Sequence, residues 1–164
     1  MFRHLTILLL TLLIFLIYPL PVLASHQIFM KDEELKSKGF SSYEKINPNL
    51  QIYPAKRTVE RLKLLLIFNP EEKKNYYFRM FENRFNELVY IINNNKTGFL
   101  LETVDRYNSF VGDLKIKNTN LDPKSKDKIA NYLKILERLR DRYNSSSPYW
   151  AKIQQAVDTT RSLI

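Results

Sequence analysis

The sequence predicts an all-α fold, an antiparallel bundle of about five helices behind an apolar N-terminal segment. Three observations predict it. Apolar residues recur at helical spacing in long runs between residues 55 and 164. Three of the expected helices begin with one grammar, a capping side chain followed directly by proline: Asn69-Pro70, Asp122-Pro123 and Ser147-Pro148. Glycine occurs only three times, and no Asn-Gly or Asp-Gly pair marks a β-hairpin.

The first element is a targeting segment over residues 1–24. Arg3 and the N-terminal amine precede Leu5 to Tyr18, a run without charge that is shorter than the roughly 20 residues a membrane-spanning helix needs. Pro19 and Pro21 then break the helix, and Val22-Leu23-Ala24 suits a signal peptidase, which places the cut after Ala24. The alternative is an uncleaved anchor, with Leu5 to Leu23 kept as a membrane tether. No cysteine is present to carry a lipid or a disulfide, so the exported domain is held together by packing. What remains is long enough for one domain and too short for two.

Residues 25–54 show no sustained period and are rich in turn formers, so they read as an irregular lead-in with room for a short helical turn around Asp32 to Lys38. The helical domain spans 55–164. Its first helix is expected over Ala55 to Phe68, with Val59, Leu62 and Leu66 on one side and Leu64, Ile67 and Phe68 on another. A helix apolar on two sides should have neighbours on two sides. The second runs from Pro70 to about Asn93, with Tyr77, Phe78, Phe81, Phe85, Leu88, Val89 and Ile92 as its core stripe and Glu71 and Glu72 facing its positive end. The third carries Leu100, Val104, Tyr107, Val111 and Leu114, a seam suited to a bundle. After a polar break at Lys115 to Asn120, the fourth carries Ile129, Tyr132, Leu133, Leu136, Leu139 and Tyr143. The fifth carries Tyr149, Trp150, Ile153, Ala156, Val157 and Leu163.

Within the first two of these helices, Tyr53-Pro54 is followed by a basic pair and a glutamate (Lys56, Arg57, Glu60). Then come the turn Asn69-Pro70-Glu71 and an Arg-x-x-Glu on the second helix, Arg84 and Glu87. This pattern over residues 48–88, extending to about 117 if the third helix is counted, resembles an exported bacterial helical domain, the domain-of-unknown-function family 5667. The chain departs from it beside that arginine, where Met80, Phe81 and Phe85 stand in place of small residues. The resemblance implies an extracytoplasmic, often membrane-tethered helical domain with no assigned chemistry. It leaves the fourth and fifth helices outside.

Helical spacing puts Arg84 near the apolar seam of its helix, and Glu60 and Arg57 near the Leu64 side of theirs, where charges need partners. A hairpin at Asn69-Pro70 would let Arg84 pair with Glu60 and Glu87 reach Arg57. The alternative is that all four long side chains extend to water. No catalytic or cofactor constellation stands beside them. No His, Cys or Asp grouping has metal-ligand spacing, no glycine-rich loop fits phosphate, and the adjacent carboxylates Glu71 and Glu72 are explained by the helix dipole. The chain is therefore read as a non-enzyme without cofactors.

Partner classes follow from charge and compartment. The chain carries +9, and among its charged residues only Arg3 lies within residues 1–24. An exported cation meets anionic lipid, wall polymer or acidic protein, and export removes nucleic acid from the list. Two surfaces are nominated. One is aromatic, with Tyr76, Tyr90 and Trp150 meeting an envelope protein. The other is basic, with Lys134, Arg138 and Arg142 meeting anionic membrane or wall polymer.

Overall fold

The computed structural model describes residues 29–40, 42–117 and 121–164. The targeting segment, its cut after Ala24 and part of the break before Asp122 lie outside the described residues. The elements are α1 (Asp32–Ser37), α2 (Tyr53–Leu66), α3 (Pro70–Asn93), a single 3-10 turn (Thr97–Phe99), α4 (Leu100–Lys117), α5 (Pro123–Arg140) and α6 (Pro148–Arg161). The protein is all-α, and α2 to α6 are the five substantial helices.

The helix starts follow from side-chain capping. Asn69 Oδ1 accepts from the backbone N–H groups of Glu71 and Glu72 at 2.9 and 3.2 Å. Asp122 Oδ1 accepts from Ser125 N–H at 2.9 Å, and Ser147 Oγ from Tyr149 N–H at 3.2 Å. In each case proline fills the first helical position, whose N–H would have no intrahelical partner. Two helix ends are closed by residues with positive φ. Gly39 (φ 85°) lets Phe40 N–H reach back to Leu35 C=O after α1. Asn95 (φ 53°) does the same for Lys96 N–H and Ile91 C=O after α3.

Four helices make the bundle. The α3–α4 pair is antiparallel, with Tyr77 against Phe110 and Phe81 against Tyr107. The α5–α6 pair is antiparallel as well, with Arg140 hydrogen-bonded to Gln154 and Arg161 paired with Glu137. These hairpins lie side by side, α4 on α6 and α3 on α5. Phe85 stacks on Tyr132 at a centroid distance of 3.9 Å and locks α3 to α5. Tyr107 shares a 2.6 Å hydrogen bond with Thr160 and locks α4 to α6. The stripes of α3 to α6 form one continuous core.

The short helical turn expected around Asp32 to Lys38 is α1, and Met30, Leu35 and Phe40 beside it enter the core. The Asn93 side-chain amide bonds both the N–H and the C=O of Met30, at 3.0 and 3.1 Å, pinning the segment to the end of α3. One expectation needs correction: α2 starts two residues earlier than expected and is not buried on two sides. Val59, Leu62, Leu65, Leu66 and Phe68 are exposed, Phe68 to 87%.

Candidate functional site

The face that α2 turns toward the bundle is polar. Tyr53, Lys56, Arg57, Glu60 and Leu64 recur at spacings of three and four residues, so they share one side of the helix. Against them stand Arg84 and Glu87 of α3, each only 1% exposed. Burying these two charges costs several kcal/mol apiece unless counter-charges and hydrogen bonds surround them. The α2 face supplies both.

Arg84 donates through Nη2 to Glu60 Oε2 and through Nη1 to Glu87 Oε2. Its Nη1 also donates to the Tyr53 hydroxyl at 2.7 Å, and that hydroxyl donates onward to Glu87 Oε2 at 2.8 Å. Lys56 Nζ holds Glu87 Oε1 at 2.8 Å, Glu44 Oε2 at 3.0 Å and the Ile46 carbonyl at 3.1 Å. Arg57 Nη1 reaches Glu60 Oε2 at 3.3 Å. Three cations (Lys56, Arg57, Arg84) and three carboxylates (Glu44, Glu60, Glu87) balance, so the cluster is neutral as a whole. Two polar atoms in it, Glu60 Oε1 and Arg84 Nε, have no hydrogen-bond partner.

The electrostatics follow the burial. Burial first, and the neighbouring Glu87 carboxylate second, push the Tyr53 hydroxyl up to about 12. The Arg57 guanidinium is shifted down by burial and by the nearby Arg84 charge. The Arg106 guanidinium lies over the Tyr53 ring at 5.1 Å and closes the cluster from α4. At one edge the cluster meets open space, where Lys56 and Glu60 line a groove between α2 and α3. The chemistry of the cluster is attachment: α2 is fastened to α3 by charge.

Of the four residues nominated as ion pairs, Arg84 meets Glu60, whereas Glu87 is engaged by Lys56 and not by Arg57. Arg57 lies one residue further round the helix and turns to Glu60 instead. Arg84 and Glu87 are buried, which excludes the reading in which both extend to water. Tyr53, Lys56 and Glu44 were not nominated. The spacing of Tyr53 and Lys56 with Glu60 was legible as a single polar face, while Glu44 comes from the lead-in and gave no periodic signal.

The aromatic nominees are used within the fold. Tyr76 donates to the Glu60 carbonyl at 3.2 Å, Tyr90 packs edge-on to Tyr43, and Trp150 lies under the Arg140 guanidinium. Among the basic nominees Lys134 is exposed, Arg138 pairs with Glu34 of α1 at 2.9 Å, and Arg142 is half-buried and shifted down by that burial. What the surface offers is the outer side of α2. The side chains of Val59, Leu62, Leu65 and Leu66 form a ridge that Ile52 and Phe68 continue at its two ends, all exposed. Beside it, between α2 and α3, runs a groove of about 640 Å³ lined by Ile52, Val59, Lys63, Tyr76 and Met80 among others.

Among the described residues no helix is long and apolar enough to cross a membrane, and no group of His, Asp and Glu side chains is placed to hold a metal ion. No curated protein and no solved structure matches the chain. One protein family does, over residues 45–146, which takes in α2 to α5. The match therefore reaches well past the 48–117 stretch that carried the resemblance in sequence, and it includes the fourth expected helix. It contains every member of the buried cluster except Glu44, which lies one residue before it. The chain belongs to the family described as Domain of unknown function (DUF5667).

Proposed function

We propose that this chain is an exported, non-catalytic docking module of the cell envelope, whose working surface is the outer side of α2. One observation carries the reading: a helix with a clear apolar strip presents that strip to solvent and its polar face to the protein. Single exposed leucines are ordinary, but a contiguous apolar ridge is the usual mark of an interaction surface. The buried ion cluster explains how such an arrangement is stable, because it fixes α2 without using its apolar side. The apolar N-terminal segment preceded by Arg3 and the basic charge support placement outside the cytoplasm.

Site-specific photocrosslinking in the native host tests this. A crosslinker at Leu65 should give adducts recovered in the envelope fraction, and one at Gln155, an exposed position on α6, should not. Adducts confined to the cytoplasmic fraction, or equal yields from both positions, would overturn the proposal.

A further inference from the structure

The outer side of α2 has a charge pattern as well as an apolar one. We infer that the partner of this ridge is an anionic lipid bilayer, on which α2 lies parallel to the surface with Val59, Leu62, Leu65, Leu66 and Phe68 among the upper acyl chains. This rests on the reading of α2 as the docking surface and names what it docks to.

Three features of the helix select the bilayer. Successive residues are about 100° apart, so Arg61 and Lys63 lie on opposite borders of the strip centred on Leu62. Both are exposed. An aliphatic strip bordered on each side by long basic side chains is the arrangement of an interfacial helix, whose leucines enter the membrane while its cations rise to the phosphates. The only acid of α2, Glu60, is buried and already paired with Arg84 and Arg57, so no α2 carboxylate opposes an anionic surface. The exposed acids Glu71 and Glu72 belong to the first turn of α3, beyond the bend at Asn69.

Charge argues against a second copy, and the lipid needs no matching concave surface. On a bilayer each apolar side chain partitions by itself and headgroup attraction adds to it. A second copy packed through the same strip would bring Arg61 and Lys63 of both copies together without an exposed α2 carboxylate to separate them.

The chain has no cysteine, so single cysteines can be placed and labelled cleanly in the full-length protein. An environment-sensitive dye at Leu65→Cys should lose contact with water on phosphatidylglycerol vesicles, keep it on phosphatidylcholine vesicles, and regain it as salt is raised. The same dye at Gln155→Cys should stay solvated throughout, which removes any contribution of the N-terminal apolar segment, since that segment is common to both proteins. Arg61→Glu together with Lys63→Glu, neither of which touches the buried cluster, should reduce the phosphatidylglycerol response at position 65 at least several-fold. Equal solvation at 65 and 155 on phosphatidylglycerol overturns the inference, as does an equal response to both lipids. Shielding at 65 without vesicles overturns it too: concentration-dependent shielding identifies a second copy, and concentration-independent shielding another part of the chain. If position 65 crosslinks in the envelope yet ignores both vesicles, α2 docks on protein. The docking reading then stands and the lipid assignment falls.

Discussion

Arg84 is the residue on which the arrangement of α2 depends. Its guanidinium is 1% exposed and bonded to Glu60, Glu87 and Tyr53 at once, so removing it leaves three carboxylates facing the two cations Lys56 and Arg57. Arg84→Met should lower unfolding stability by about 3–5 kcal/mol in denaturant titrations, the usual cost of removing one partner of a buried ion pair. Exchanging Glu60 and Arg84 should recover part of what each single reversal loses; no recovery would mean that the pair is not coupled. Tyr53 gives a second prediction, in pH. In the unfolded chain its hydroxyl ionises near 10; in the folded protein it holds its proton to about 12. The unfolded state therefore releases the proton first, and stability present below pH 10 is lost as pH rises toward 12. Tyr107 and Tyr132, also raised by burial, add in the same direction. Denaturation midpoints followed from pH 8 upward should be flat with respect to tyrosine until about 10 and then fall; a midpoint unchanged at pH 11 would contradict this.

Among the elements, the well-read helices are those whose ends carry local chemistry. Asn69, Asp122 and Ser147 cap through side chains two or three residues from the bonds they make, and that information is wholly local. The short helix α1 is legible only as a helical turn, because its six residues are too few to show a period. Its stability comes from Leu35 and Phe40 packing into the bundle and from the Gly39 turn. Gly39 has ample room for a methyl group, with only the Asn131 side chain near at 3.9 Å, so the constraint there is conformational. Gly39→Ala should cost about 1–2 kcal/mol through its left-handed backbone alone. A loss much below 1 kcal/mol would show that the turn reorganises.

On the scale of the molecule, two modes of attachment coexist. The helices α3 to α6 are held by apolar stripes that interlock around Phe81, Phe85, Tyr107 and Tyr132. By contrast α2 is held by an ion-paired base, with its apolar side exposed. This division gives the domain a stable body and a helix whose exposed side need not be covered for the fold to persist.

The sequence by itself determined the helical class, the starts of three helices, the core stripes of α3 to α6 and the candidacy of Arg84 and Glu60 as partners. Each of these depends on spacing along the chain or on neighbours a few residues away. Tertiary structure decided which side of α2 faces inward and which cation serves Glu87. Periodicity locates the apolar strip on a helix but does not say that it must be buried. Here the desolvation cost of Arg84 and Glu87 was met by the polar face of α2, and the leucines were turned outward.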